Sequence, residues 1–154
     1  MTTNAPLAAP IGSQVEVTWT VVNAPENATG VTTSASWNDR IYISADDTFG
    51  SGDRLLTTVR YDGALDVGES YNGVASITLP ADMPGQVYLF VVADAQSQVD
   101  EFIFDDNNVG PAVAITAQLP DLEVVGITAP NLSQLGEVID VVFRVENVGD
   151  VDAT

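Results

Sequence analysis

The sequence predicts an all-β protein: an antiparallel β-sandwich followed by the first strands of a second repeat. Three observations lead to this prediction. Apolar residues recur at every second position in segments separated by clusters of Gly, Pro, Asp and Asn. No stretch shows the apolar stripe of period 3.6 that a helix requires. Finally, the segment 128–147 repeats the segment 4–23.

Six segments of the first 119 residues are predicted strands. In "SQVEVTWTVVN" (13–23), every second residue from Val15 to Val21 is apolar, so one face is buried. The segment "QVYLFVVADA" (86–95) is apolar on both faces, which is typical of a central strand. The other four are "WNDRIYISA" (37–45), "RLLTTVRY" (54–61), "GESYNGVASITLP" (68–80) and "AVAITAQL" (112–119).

The internal repeat has a shift of 124 residues. It aligns Gly12 with Gly136 and Asn23 with Asn147, and most replacements between the copies are mild. The second copy is predicted to hold strands at Leu122–Ile127 and Val138–Asn147. In the first copy, the place of "DLEVVGI" holds only residues 1–3. We therefore expect residues 1–119 to form a sandwich that lacks its own first strand, cut out of frame from a tandem array. Residues 120–154 are expected to be the N-terminal part of a second repeat and a candidate donor strand.

Composition excludes several classes of function. The net charge is −18, from 22 acidic residues and four arginines, so a nucleic acid or an anionic membrane surface would be repelled. The absence of His, Cys and Lys excludes serine and cysteine triads, thiolate or imidazole zinc sites and phosphate-binding lysines. No apolar run is long enough to span a membrane. Carboxylate-only catalysis needs a defined acid–base pair, and nothing singles one out, so we expect no enzyme.

Two acidic loops are candidate calcium sites, because calcium prefers six to eight oxygen ligands, including carbonyls from sharp turns. The first loop, "ADDTFGSGD" (45–53), does not have EF-hand spacing. The second loop is "DAQSQVDEFIFDDNN" (94–108), and an ion could also bridge it to Asp39 or Asp53. The alternative is that these side chains only cap turns of the backbone. The candidate ligands are Asp46, Asp47, Asp53, Asp94, Asp100, Glu101, Asp105 and Asp106.

The order of several motifs resembles the CARDB module, the cell adhesion related domain found in bacteria. These motifs are "DLEVVGITAP" with "IDVVFRVENVG", "WNDRIYIS" before an acidic loop and "DRLL", and the ending "VYLFVVADAQSQVDEFIFDDNN". The resemblance implies an immunoglobulin-like sandwich of about seven strands in a long, repetitive, secreted or surface-attached protein. It also implies a structural role for the D…E…NN ending, although the pair Asp105–Asp106 departs from the family pattern.

The leading functional hypothesis is a non-catalytic structural or adhesive repeat module, stiffened by calcium, of a large extracellular or cell-surface protein. The alternative is a carbohydrate- or protein-binding accessory module of a secreted multidomain enzyme. Trp19 is predicted to be core, whereas Trp37 could be core or a sugar-stacking surface. The expected partners are neighbouring repeats, and strand exchange through residues 121–127 would give dimers or fibres.

Overall fold

The structure, a computed structural model, describes residues 1–25, 30–101 and 107–153. The described residues form strands, turns and loops, with no α-helix among them. The chain divides into two compact units, Met1–Ala117 (unit 1) and Gln118–Thr154 (unit 2). The strands are β1 (Thr2–Asn4), β2 (Ala8–Pro10), β3 (Gln14–Val22), β4 (Ser36–Ser44), β5 (Arg54–Asp62), β6 (Ser70–Thr78), β7 (Gly85–Val92), β8 (Val113–Gln118), β9 (Leu122–Thr128) and β10 (Val142–Asn147).

Unit 1 is an immunoglobulin-like β-sandwich, as the sequence predicts. One sheet has the strand order β1-β3-β6 and the other the order β2-β8-β7-β4-β5. The short strands β1 and β2 divide the first part of the chain between the two sheets. Counted as one split strand, they give the seven strands that were expected. The six longer strands match the predicted segments to within a few residues, because each carries an alternating pattern or an apolar run bounded by turn residues.

The core lies between the two sheets and is made by alternate residues of the strands. Val15, Val17 and Trp19 of β3 are buried in one cluster with residues of β4 and β7. The other buried members are Ile41, Ile43, Ile77, Leu79, Val87, Leu89, Val91, Ile115 and Ala117. A second cluster of Trp37, Leu65, Tyr71 and Val99 lies apart from them, and Val21 packs against both clusters. Trp19 is therefore core, as predicted, and Trp37 is core as well.

The indole of Trp19 lies directly over Gly73, its cross-strand neighbour on β6. A Cβ atom at position 73 would lie 2.1 Å from Cε2 of Trp19. Glycine in the middle of a strand normally weakens it, and here the close approach of an aromatic ring explains its presence.

Unit 2 consists of the antiparallel pair β9–β10. Strand β10 begins at Val142, four residues later than the sequence predicts. In unit 1, the equivalent residues Gln14–Val17 pair with β6. The described part of unit 2 contains no strand in the place of β6, so residues 138–141 have no ladder to join.

The pairing register of β1 with β3 in unit 1 recurs in the pairing of β9 with β10 in unit 2. In unit 1, Thr18, Trp19 and Thr20 lie opposite Asn4, Thr3 and Thr2. In unit 2, Val142, Phe143 and Arg144 lie opposite Thr128, Ile127 and Gly126. Each of the three pairs in unit 2 is the corresponding pair of unit 1 shifted by 124 residues. The sequence repeat is thus also a repeat of strand pairing.

Candidate functional site

The first acidic loop, between β4 and β5, is organised by its own carboxylates. Asp46 Oδ1 accepts a hydrogen bond from the backbone N–H of Thr48 at 2.9 Å. Asp53 Oδ2 accepts one from the N–H of Gly50 at 2.8 Å. Asp47 lies at the exposed tip, with Oδ1 3.4 Å from the Thr48 hydroxyl. The Asp46 contact is an Asx turn, and all three contacts stay within the loop, as the alternative to a metal site predicts.

An aromatic side chain attaches this loop to the outside of the five-stranded sheet. Phe49 packs between Tyr42 of β4 and Phe90 of β7, with ring centroids 5.2 and 5.6 Å away. Tyr42 and Phe90 are cross-strand neighbours, on the face opposite to the core residues Ile41 and Leu89. The apolar appearance of both faces of β7 is therefore explained by the core on one side and by Phe49 on the other.

The second acidic loop, after β7, is anchored by a buried carboxylate. Asp94 has the unusual backbone angle φ +42°, and its two carboxylate oxygens accept the N–H groups of Gln98 (2.8 Å) and Val99 (2.7 Å). Glu101 Oε2 accepts a hydrogen bond from the amide of Asn108 at 2.7 Å, across the base of the loop. The backbone N–H of Asp100 donates to the Thr33 hydroxyl. Residues 105 and 106, the remaining candidate ligands, lie outside the described residues.

The described candidate ligands of the two loops do not come together in one cluster. Within residues 1–25, 30–101 and 107–153, no group of three or more acidic, histidine or cysteine side chains comes together in a way that could hold a metal ion. The carboxylates of Asp46, Asp53 and Asp94 each accept hydrogen bonds from backbone N–H groups of their own loop.

The most deeply buried polar side chain among the described residues is that of Asp39, which the sequence predicts only as a ligand of an ion that bridges it to the second acidic loop. Asp39 lies on the core-facing side of β4 and is 1% exposed. Its Oδ2 accepts hydrogen bonds from Trp19 Nε1 (2.7 Å) and from the Tyr71 hydroxyl (2.5 Å). Its Oδ1 accepts the backbone N–H of Asp94 at 3.1 Å. Three donors from three different elements therefore converge on one carboxyl group.

Burial and hydrogen bonding act in opposite directions on Asp39. Removal from water raises the pKa of its carboxyl, and this effect outweighs the three hydrogen bonds, which lower the pKa. Burial beside this carboxyl also raises the pKa of Tyr71, so its hydroxyl keeps its proton. The Tyr71 hydroxyl accepts a hydrogen bond from Trp37 Nε1 at 3.0 Å and donates one to Asp39 Oδ2. The network joins both tryptophans, β6 and the start of the second acidic loop.

A pocket opens where β3 meets this network. It is lined by Val21, Asn23, Trp37, Leu65, Val99 and their neighbours. The amide of Asn23 donates hydrogen bonds to the carbonyl oxygens of Gly30 (3.1 Å) and Leu65 (3.0 Å). The lining mixes apolar and polar side chains, and no described side chain in the pocket has the geometry of a nucleophile with its base.

Comparisons with known proteins give structural matches only. Neither family models nor curated proteins match this sequence. One similar solved structure is the CARDB domain of a Pyrococcus furiosus protein in complex with di-metal ions. The chain resembles a CARDB domain. The identity is 17% and the TM-score 0.49, over 75% of this chain and 83% of that one. A β-glucosidase from Listeria innocua matches at 14% identity and a TM-score of 0.42, over 75% of this chain but 15% of the enzyme.

The part of the chain that the structure describes contains no helix that is long and apolar enough to cross a membrane.

Proposed function

We propose that this chain is a non-catalytic structural repeat module of a large secreted or cell-surface protein, where it extends an adhesive array together with neighbouring modules of the same kind. One observation carries this proposal. The pairing of β10 with β9 repeats that of β3 with β1 at a fixed shift of 124 residues. A chain that restarts the same sandwich in the same register is built like a segment of a tandem array.

The linker and the polar groups support the same role. Pro120 stands between β8 and β9 and restricts the backbone there, which favours a stiff joint between successive modules. The buried carboxylates of Asp39 and Asp94 are engaged by core donors and loop backbone, so these groups serve the architecture of the sandwich. The charge of −18 favours solubility.

The array function can be tested with longer chains made in register. We would repeat residues 1–124 once, twice or four times before residues 125–154 and measure each chain by small-angle X-ray scattering. A spacer predicts a constant increase in maximum dimension for each added repeat. The increment should be roughly 30 Å or more, because the nine-residue strands of the sandwich rise by about 3.3 Å per residue.

A growth of the overall dimensions with the square root of the repeat number would instead indicate flexibly linked modules and would refute the spacer. The matched control carries Gly-Ser in place of Leu119–Pro120 in every linker. It should lose the constant increment while each module keeps its melting temperature.

Calcium stiffening is a separate part of the proposal and rests on the two acidic loops. A bound calcium ion would have to coexist with the hydrogen bonds that Asp46, Asp53 and Asp94 already accept from the backbone. A calcium ion bound only by the folded chain would raise the melting temperature. Calorimetry in calcium, in magnesium and in a chelator therefore decides this part. An unchanged melting temperature removes calcium from the proposal and leaves the repeat module as it stands.

The accessory binding module is the competing hypothesis. Both tryptophans are buried, so neither forms an exposed platform for a sugar ring. A screen of the chain against immobilised glycans tests the alternative directly. Saturable binding to one glycan, abolished by unfolding, would favour it over the array.

A further inference from the structure

The five-stranded sheet of unit 1 ends in β5, a strand with one open edge. Among the described residues, β5 pairs only with β4. The N–H of Gly63 donates to the carbonyl oxygen of Ala35 at 2.8 Å, and this bond fixes which residues of β5 face β4. Because bonded and non-bonded pairs alternate along an antiparallel ladder, Val59 bonds to β4. The backbone N–H and C=O groups of Thr58 and Arg60 therefore point away from β4, along the open edge.

The arginines of unit 1 are gathered on the same two strands. Unit 1 has three arginines and no lysine. Arg40 lies on β4, and Arg54 and Arg60 lie on β5. Arg54 forms an ion pair with Asp82 at 2.9 Å, and Arg60 forms one with Asp62 at 2.8 Å. In a chain with a net charge of −18, the strand pair β4–β5 is thus a local concentration of positive charge.

Arg40 differs from the other two arginines because its guanidinium has no partner. Its neighbours along β4, Asp39 and Ile41, face the core, so the side chain of Arg40 lies on the outer face of the sheet. The residue is partly buried, and its Nε is covered without a hydrogen-bond partner in the described part of the chain. No ion pair joins it to a described carboxylate. A covered and unpaired charged donor is destabilising, so a carboxylate that reached it would be held firmly.

Two loops contact the outer-face residues on either side of Arg40. The amide of Asn38, two residues earlier, donates to two glutamine side chains of the second acidic loop. The ring of Tyr42, two residues later, contacts Phe49 of the first acidic loop, with centroids 5.2 Å apart. On the β5 side, the cross-strand neighbour of Arg40 is Thr58, a small and exposed residue. A group that approaches over Thr58 therefore meets the guanidinium of Arg40 between the two loops.

A strand added to β5 would present a side chain at this point. Neighbouring strands lie about 4.8 Å apart, so its backbone would lie about 10 Å from that of β4. In antiparallel pairing, the residue opposite Thr58 would project on the outer face, in line with Thr58 and Arg40. A glutamate at that position would reach over Thr58 to the guanidinium, because both charged side chains are long. The residues before and after it would face inward beside Val59, which is only partly buried, so apolar side chains fit there.

We propose that unit 1 binds an extended acidic segment of another protein as an added antiparallel strand along β5, with a glutamate of the segment on the guanidinium of Arg40. The open backbone groups of Thr58 and Arg60 supply the affinity. The two arginine side chains of the outer face, Arg40 and Arg60, select a segment with carboxylates, because a charge-assisted hydrogen bond is stronger than a neutral one. Charges on an edge strand also keep uncharged strands from pairing there. This binding does not depend on the array function.

The first test is a titration of the 154-residue chain with a fluorescent probe peptide, acetyl-Ser-Val-Thr-Val-Glu-Val-Thr-Ser-amide, followed by anisotropy. At about 0.15 M salt, repulsion by the other acidic residues is screened beyond about 8 Å. We expect saturable binding. The same peptide with glutamine in place of glutamate should bind at least about tenfold more weakly, because it lacks the charge-assisted bond. Equal affinity of the two peptides, or no saturable binding of the glutamate peptide, would overturn the proposal.

Arg40→Gln and Arg54→Gln form a matched pair of variants, since each removes one positive charge from β4–β5. Arg40→Gln should bind the glutamate peptide about tenfold more weakly and should no longer distinguish it from the glutamine peptide. Arg54→Gln should behave like the unmodified chain, because Arg54 is already paired with Asp82. Calorimetry checks that both variants stay folded. An equal loss of affinity in both variants would show that only net charge matters and would refute a site at Arg40.

Hydrogen exchange followed by nuclear magnetic resonance locates the bound peptide. It should slow the exchange of the N–H groups of Thr58 and Arg60 at least about tenfold and leave that of Val59, which already bonds to β4, nearly unchanged. The control is Val74 on β6, the edge strand of the other sheet. Slower exchange at Val74 would place the peptide on that sheet and contradict the proposal. Slower exchange at Thr58 that grows with the concentration of the chain alone would identify a second copy as the occupant, which also contradicts it.

Discussion

Substitution of Tyr71 by phenylalanine tests whether the Asp39 network holds the sandwich together. The change removes one hydroxyl that makes two buried hydrogen bonds. Trp37 Nε1 loses its acceptor at 3.0 Å, and Asp39 Oδ2 loses a donor at 2.5 Å. A buried donor left without a partner costs about 1–3 kcal/mol, and a hydrogen bond to a charged group contributes about 1.5–3 kcal/mol. Because both effects pass through one atom, they do not add fully.

We therefore expect Tyr71→Phe to lower the free energy of unfolding of unit 1 by about 3 kcal/mol. Urea unfolding followed by far-ultraviolet circular dichroism measures the change. Tyr61→Phe is the matched control, since Tyr61 stacks on Tyr71 at 3.9 Å through its ring. The control should change stability by less than about 0.5 kcal/mol. If the two variants were equally stable, the hydroxyl of Tyr71 would have no special role and the reasoning would be wrong.

Three other substitutions test the core, the first acidic loop and the buried carboxyl. Gly73→Ala should destabilise unit 1 by about 1–3 kcal/mol, because its Cβ meets the Trp19 ring. Gly52→Ala, which meets open space, is the control, and equal melting temperatures would contradict the packing argument. Phe49→Ala should cost about 1–2 kcal/mol, less than the ~3–5 kcal/mol of a fully buried phenylalanine, and should make the loop 45–53 a site of rapid proteolysis. Because burial raises the pKa of Asp39 above its ordinary value of 3.8, the folded chain binds this proton more tightly than the unfolded chain does, and the contribution of Asp39 to stability falls as the pH rises above that value. In Asp39→Asn, urea unfolding at a series of pH values above 3.8 should no longer show that decline in the free energy of unfolding. An unchanged dependence of this free energy on pH would contradict the raised pKa.

The sequence was sufficient to predict the strands of the sandwich because their pattern is local. A two-residue period from Val15 to Val21 reports one buried face whatever the partner strand is. The repeat could also be identified from the sequence, because it requires only a comparison of one segment of the chain with another. The split of the first strand into β1 and β2 was not predicted, because each piece has three residues and is defined by its partners, β3 and β8.

The Asp39 network shows what local patterns omit. Asp39 alternates with Trp37 and Ile41, so its position on the inward face of β4 was visible in the sequence. Its donors were not, because Trp19, Tyr71 and the Asp94 backbone lie 20, 32 and 55 residues away along the chain. In the same way, the sequence of an acidic loop is equally compatible with a metal site and with a turn capped by its own side chains. Contacts such as that from Asp53 to the N–H of Gly50 exist only once the loop is closed.

The position of the two tryptophans gives the molecule a built-in optical reporter. Both indole N–H groups are tied to the same Tyr71–Asp39 pair, and the chain has no other tryptophan. The counterpart of Trp19 in unit 2 is Phe143. Intrinsic fluorescence excited in the indole band therefore records the opening of one locus in unit 1 and is blind to unit 2. Unfolding of unit 2 alone would therefore appear in dichroism without a change in tryptophan emission, and no label is needed to see it.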